Sequence, residues 1–444
     1  MDVLVMAGQL ILSLSILVIL HEMGHFFPAK WFGMRVEKFY LFFDPYFEIF
    51  KTEYKGTEYG VGWLPLGGYV KIAGMMDESF DTEQLESEPE EWEFRAKPAW
   101  QRLIVMVGGV TVNFILGFLI YWMLTWHYGS QYLPTQNAEF GVATDSLGQV
   151  MGLRDGDLPL AVGDLEMDKL SAGTAKIEII INGARSLTVQ RNGRKEVLTI
   201  SDEIAGDLSK YENNKATLYA ARFPFVVAEE FPDDSPAKEA GIKSGDKILT
   251  LNGTPTPYFH EFSKKIRGKD MTPEQPVVVQ VQRGNDTLDF KFNTSKQGLI
   301  GAGVVPLKTK IETYNLGESV PIAWDRSIGF LSTQIKAFGK MFSGELKAKD
   351  NLGSFLTIGK QFGGTWIWQR FWELTAALSL ILGFINILPI PMLDGGHVMF
   401  LLYEIVAGRK PNEKFQEYTS YAGFAALIGL MIYAIGLDIW RNLF

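Results

Sequence analysis

The 444-residue chain contains no cysteine. That excludes disulfides, thiolate metal ligands and a cysteine nucleophile. Histidine is scarce: only His21, His25, His127, His260 and His397 occur. A transition-metal site therefore has to be assembled from these and from carboxylates. No G-x-x-x-x-G-K-[ST] nucleotide loop is present. The net charge of −9 argues against nucleic-acid binding as the main task. Charge is itself missing from four windows: Val3–Leu20, Leu103–Trp126, Leu374–Leu393 and Tyr418–Leu437. Each is long enough to cross a bilayer as a helix. The first lacks the basic flank and the small-residue cleavage site of a secretory signal peptide.

What is there begins where the first window ends. Val3–Leu20 runs directly into His21-Glu22-Met23-Gly24-His25, and Pro28 is the first interruption of the helical pattern. Histidines at i and i+4 share one helix face and can grip one zinc ion. The glutamate between them can serve as general base for a zinc-bound water. In soluble enzymes this pattern sits on an amphipathic helix. Here the preceding helix is apolar all round, which suggests hydrolysis at membrane depth.

The four windows divide the chain. Residues 26–102 join the first two, an insert of about residues 128–318 separates the second from the third, and Arg409–Glu417 links the last two. Lys30, Arg35 and Lys38 follow the first window, Arg95, Lys97 and Arg102 precede the second, and Arg409, Lys410 and Lys414 lie between the last two. The excess of basic residues places the 26–102 loop and the 409–417 link in the cytoplasm. Both termini and the insert are then extracytoplasmic. The acidic stretch between Asp77 and Glu93 reads as a solvated, mobile loop.

The insert repeats itself. Gly152-Leu-Arg-Asp-Gly-Asp157 is echoed by Gly241-Ile-Lys-Ser-Gly-Asp246, and Val189-Gln-Arg-Asn-Gly193 by Val281-Gln-Arg-Gly-Asn285. Offsets of 89 and 92 residues are domain-sized. β-branched runs such as Ile177–Ile181 and Pro276–Val281 alternate with Gly/Asn turns, as strands do. The stretch Ser235–Gly253 resembles the core signature of bacterial PDZ domains, and the first copy resembles it less closely. Such domains capture peptide C-termini by strand addition, or act here only as steric modules. Further on, Trp324, Ile328, Leu331, Ile335, Phe338 and Phe342 form one helical stripe. That stripe suits a helix lying in the membrane interface or one packed on a neighbouring domain.

Two histidines leave a catalytic zinc site one protein ligand short. The third window ends Asn386-Ile-Leu-Pro389-Ile-Pro391-Met-Leu393-Asp394-Gly395-Gly396-His397. Two prolines break the helix at membrane depth, which is tolerated only where the backbone is buried in protein or faces a watery cavity. Asp394 follows the break, and the two glycines permit a sharp turn. His21–His25 end the first crossing and Asp394 the third, so all three lie on the same side of the membrane. Asp394 is the favoured third ligand, and His397 its rival.

His21-Glu22-x-x-His25 after an apolar run, Asn386-x-x-Pro389-x-Pro391-x-Leu393-Asp394-Gly395, and a repeated insert between the second and third windows resemble the site-2 proteases. Together with Tyr59–Lys71, the paired repeats resemble the regulator-of-sigma-E protease type with two tandem PDZ domains. The resemblance implies a polytopic α-helical membrane protein with four transmembrane helices, a membrane-reentrant β-hairpin and two extracytoplasmic PDZ-like α+β domains. The boundaries would be 1–127 for the N-terminal membrane part, with helices about 3–27 and 103–126 and the β-loop about 57–73. Residues 128–221 and 222–310 would be the PDZ-like domains, and 311–370 the amphipathic region. Residues 371–444 would carry helices about 371–393 and 418–440. His21, His25 and Asp394 would bind Zn2+ and Glu22 would be the base. Asn386, with Pro389 and Pro391 of the same motif, would face the substrate. Gly60, Val61 and Gly62 would lie in a hairpin whose edge pairs with unwound substrate, which agrees with glycines in a strand that another backbone approaches closely. An ordinary soluble hairpin fits those residues as well. The chain departs from the family at Gly109-Val-Thr-Val-Asn113, where Gly-Pro-x-x-Asn is usual, and at Leu352–Leu356.

The expected activity is zinc-dependent intramembrane endopeptidase action on truncated single-span proteins such as anti-sigma factors, or on remnant signal peptides. It would take place in the bacterial inner membrane, with the active site toward the cytoplasm and the PDZ pair sizing substrates. A catalytically silent PDZ scaffold with a structural metal is the alternative, and a transporter a weaker one, since four spans show no inverted repeat. His127 is expected at the membrane interface and His260 on a PDZ surface.

Overall fold

A computed structural model describes residues 2–65, 67–75, 88–213, 216–266 and 272–443. They form two units, one of residues 1–129, 313–339 and 352–444, the other of 130–312 and 340–351.

The first unit opens with α1 (Asp2–Trp31), which has Asp2 in its first turn and Lys30 in its last, both favourable to the helix dipole. Gln9, Ser13, Leu17, His21, His25 and Ala29 are buried. A spacing of four makes them one face, and Val3, Leu4, Ile11, Leu12, Phe27 and Trp31 are exposed on the others. The helix continues past Pro28 instead of ending there. Proline forfeits only its own amide bond, and Phe32 N–H to Pro28 O (2.9 Å) closes the turn beyond it.

A four-stranded sheet follows: β1 (Val36–Leu41), β2 (Phe43–Tyr54), β3 (Thr57–Leu64) and β4 (Tyr69–Ile72), in the order β2-β3-β1-β4. Lys55 and Gly56 turn β2 into β3 with positive φ at both positions, the conformation that suits a two-residue hairpin. The expected hairpin over 57–73 is therefore corrected. The hairpin is β2–β3, and β1 lies between β3 and β4. Of the acidic stretch read as a solvated loop, residues 76–87 lie outside the described residues. Glu93, at its end, is buried and paired with Arg95 at 2.5 Å.

α2 (Ala99–Tyr128) crosses α1 where Gly24 meets Gly108 and Gly109. A Cβ on Gly24 would lie 2.5 Å from the Gly108 carbonyl oxygen, and one on Gly108 2.0 Å from that of Gly24. Small residues let membrane helices touch backbone to backbone in this way. α3 (Ser319–Phe342) buries Ser319, Ala323 and Ser327. Trp324, Ile328, Ile335 and Phe342 of the expected stripe are exposed. α4 (Phe355–Phe362) precedes α5 (Trp368–Asn386), α6 (Asp394–Ala407) and α7 (Glu413–Leu443).

Three helices among the described residues are long and apolar enough to cross a membrane: Asp2–Trp31, Ala99–Tyr128 and Lys414–Arg441. The third apolar window differs from expectation. Its helix stops at Asn386 rather than 393, because Pro389 and Pro391 cannot continue it. A new helix starts at Asp394. Two buried polar clasps fix the later helices. Arg102 of α2 pairs with Glu404 of α6 at 2.5 Å. Asp438 of α7 accepts from the backbone N–H groups of Ser354 and Thr357 and from both hydroxyls at the start of α4.

In the second unit the sequence repeat is a structural one. One core gathers buried residues between Val142 and Tyr219, the other between Phe225 and Ile300. Each surrounds a four-stranded sheet, with Leu158–Val162, Ser186–Arg191 and Arg194–Thr199 in the first and Lys247–Leu251, Pro276–Arg283 and Asp286–Asn293 in the second. The repeated arginines explain why the motifs recur. Arg191 binds both oxygens of Asp157 and the Gly152 carbonyl. Arg283 does the same with Asp246 and Gly241. One expectation fails here: Ile177–Ile180 is helix, not strand. Ser171 caps that helix through Thr174 N–H, and Ala175 and Ile179 bury one face at a spacing of four.

Candidate metal centre

α1 presents His21 and His25 one turn apart toward α2. Their Nε2 atoms are 3.4 Å apart, and each lies 3.4 Å from Asp394 Oδ2. The three atoms form an equilateral triangle. Ligands about 2.0–2.1 Å from a tetrahedral zinc ion stand about 3.3–3.4 Å from one another. The triangle thus matches three corners of such a site, and the fourth corner is free for water or substrate. Asp394 Oδ2 is buried without a hydrogen-bond donor, an arrangement that a cation would satisfy. No other cluster of three such ligands occurs among the described residues. His397 lines the same cavity but is not a corner of the triangle.

The broken third window brings Asp394 there. After Asn386 the chain turns over Ile390-Pro391-Met392-Leu393, with Leu393 N–H to Ile390 O at 3.0 Å. Pro391 takes the second turn position, and Met392 the third at φ 82°, as a type II turn requires. Asp394 then begins α6, where a carboxylate suits the helix N-terminus. Gly395 and Gly396 act through close approach rather than through unusual φ. A Cβ on them would lie 2.2 Å from Leu388 O and 2.6 Å from Ile390 O.

α2 supports the two histidines through Val105, Gly109 and Asn113, one stripe at a spacing of four. His25 Nδ1 donates to Val105 O at 2.9 Å, and the Asn113 amide lies 2.9 Å from His21 Nδ1. Gly109 supplies space: a Cβ there would lie 2.3 Å from His25 Nε2 and 2.7 Å from His21 Cε1. Asn386 reaches His21 Nε2 at 3.2 Å. A cavity of about 800 Å³ opens on this group. Glu22 lines it, as do Tyr69–Ile72 of β4 and Phe424, Leu427 and Ile428 of α7.

The fold thus brings His21, Glu22, His25, Asn386 and Asp394 to one cavity. Pro389 and Pro391 shape its turn without lining it. Gly60, Val61 and Gly62 do not line it either. β3 is paired on both sides, by β2 and β1, so it offers no free edge. The glycines are closely approached, as read, but by this chain: a Cβ on Gly60 would meet the Tyr40 ring at 2.3 Å and one on Gly62 the Phe43 carbonyl at 2.1 Å. Two strands have a single partner and line the cavity: β4 along its whole length, Tyr69–Ile72, and β2 only at its start, Phe43–Pro45. Sequence reasoning named Gly109 and Asn113 only as part of a divergent family stretch and did not place them, or β4, at the site. The signal for the first two was small and polar residues four apart in an otherwise apolar window. His127 packs edge-on to Tyr128 at the end of α2, and His260 lies 3.3 Å from Asp155 in the second unit.

Residues 9–430 match peptidase family M50. The chain is similar to the regulator of sigma E protease of Haemophilus influenzae, 28% identical over 458 residues and 98% of both chains. It is likewise similar to the regulator of sigma-E protease RseP of Escherichia coli, 28% identical over 455 residues and 98% of both chains. A Vibrio cholerae protein named as a zinc metalloprotease is 28% identical, with 97% of both chains covered. The triangle of two imidazoles and a carboxylate on apolar helices, and a family match over nearly the whole chain, lead to one conclusion: this protein belongs to peptidase family M50 and is a membrane zinc metalloprotease of the site-2 type.

Proposed function

We propose that the protein hydrolyses peptide bonds within transmembrane segments of single-span proteins already shortened on their outer side. The observation that carries this is the 3.4 Å triangle of His21, His25 and Asp394, set among apolar helices with Glu22 in the same cavity. Zinc held by these three residues would lower the pKa of a bound water and polarise the scissile carbonyl. Glu22 takes the proton of the attacking water and returns it to the leaving amine. The Asn386 side-chain amide, at the end of α5, donates to the carbonyl oxygen as negative charge develops on it.

A substrate helix must unwind before its backbone can reach this site, and the hydrogen bonds it loses have to be replaced. β4 supports such a replacement. It is an edge strand along the cavity wall, so an extended substrate segment can add to the sheet there. This moves the substrate contact from Gly60–Gly62 to Tyr69–Ile72. Anti-sigma-factor-like proteins and remnant signal peptides fit the requirement for a short outer side. The two repeated domains, read as PDZ-like, exclude substrates with bulky outer portions or dock their C-termini. The basic flanks support an inner-membrane orientation with the site toward the cytoplasm.

The test is reconstitution in proteoliposomes with a tagged single-span substrate, intact or truncated outside, and mass mapping of the fragments. A cut within the span of the truncated form supports the proposal. A cut confined to residues outside the bilayer contradicts it.

A further inference from the structure

His21 has an amide nitrogen against each of its ring nitrogens. Asn113 Nδ2 is 2.9 Å from Nδ1, and Asn386 Nδ2 is 3.2 Å from Nε2. A neutral imidazole carries one N–H, so two amide donors cannot both be accepted. One of the amides must present its oxygen instead. Two observations single out Asn113. Its side chain is fully buried, and its Oδ1 has no hydrogen-bond partner. Turning this amide by 180° lets His21 Nδ1–H donate to Oδ1, which gives that oxygen its partner and ends the competition of two donors for one imidazole. The proton then sits on Nδ1, and the Nε2 lone pair faces His25 and Asp394. His25 already has this arrangement, because Val105 O can only accept and therefore fixes the proton on Nδ1.

We infer that Asn113 is a positioning residue for the metal, a side-chain hydrogen-bond acceptor that, beside the Gly109 carbonyl, fixes the His21 tautomer offering Nε2 to zinc. The inference rests on the zinc reading of His21, His25 and Asp394 and adds a role to none of them. The structure favours precision in the placement of this amide. Ser379 Oγ donates to the Asn113 backbone carbonyl at 2.7 Å, and Gly383 of α5 approaches so closely that a Cβ on it would lie 3.3 Å from the Asn113 Cβ. Helices α2 and α5 thus hold the residue from both sides. A metal held at Nε2 would take the place of the Asn386 amide there and leave that amide free for substrate.

The test measures zinc affinity of the full chain in detergent by competition with a chelator, which needs no turnover. Asn113→Leu keeps the shape and removes the acceptor. Its dissociation constant should rise by about 10–100-fold, the range for loss of a partner behind a metal-bound histidine. Asn113→Asp keeps an acceptor and should bind within about threefold of wild type, or more tightly. Wild-type affinity in the leucine variant would overturn the inference. So would an aspartate variant as weak as the leucine one, since the acceptor would then not be the property that matters. If the leucine variant fails to fold, the aspartate variant decides alone by the same criterion. Failure of wild type itself to bind zinc would sink the zinc reading, a result distinct from either of these.

Discussion

One methyl group tests the metal centre. Gly109→Ala in α2 places a Cβ 2.3 Å from His25 Nε2 and 2.7 Å from His21 Cε1, whereas ordinary contacts begin at 3.4 Å. The His25 ring must retreat by about 1 Å, and zinc sites tolerate ligand displacements of about 0.2 Å. Zinc affinity should fall by at least about 100-fold, the upper end of what loss of an outer partner alone costs, and proteolysis should fall with it. The fold should survive, because alanine favours helix over glycine by about 1 kcal/mol. The assay is zinc content after dialysis against a chelator, set beside the helical circular-dichroism signal. A folded Gly109→Ala protein that keeps one zinc per chain at wild-type affinity would refute the geometry.

Other consequences are as direct. Gly62→Ala should break the β2–β3 pairing, because its Cβ would sit 2.1 Å from the Phe43 carbonyl oxygen, and amide exchange in Phe43–Leu64 would report the loss. Met392→Val should weaken zinc binding, since a β-branched residue resists φ 82° at the turn before Asp394, while Met392→Gly should retain it. In the second repeat, burial opposes the charge on Asp246, yet Arg283 and the Lys243 amide outweigh it and hold the carboxyl below the usual range. A depressed folded-state value means stability is present above the unfolded carboxyl range and is lost as pH falls through the folded one. Exchange in the strand Pro276–Arg283 should therefore accelerate in acid, and Arg283→Met should reduce that pH dependence. Equal acid sensitivity in the variant would contradict this.

The candidate ligands were legible because each of the two pieces that carry them has a local signature. His21 and His25 share a helix face by periodicity, and the prolines at 389 and 391 announce a break before Asp394. The arginine–aspartate repeat was legible for the same reason, as a motif met twice. Pairing among strands was not. Gly60 and Gly62 advertise close approach, but nothing in Thr57–Leu64 says that Tyr40 and Phe43 are what approaches. The sheet order depends on contacts with residues some twenty positions earlier. Asn113 was visible as the asparagine of a divergent family stretch in an apolar window, but its partner lies 92 residues away on another helix, so its contact with His21 was not. Ile177–Ile180 misled because β-branched composition outweighed the Ser171 cap that starts a helix there.

The most direct test of the central claim is cleavage of a truncated single-span substrate by wild type and by Glu22→Gln, with zinc quantified in both. The account predicts one zinc per chain in each protein, cleavage by wild type, and no detectable cleavage by the variant. Equal cleavage by a zinc-loaded Glu22→Gln protein would contradict it.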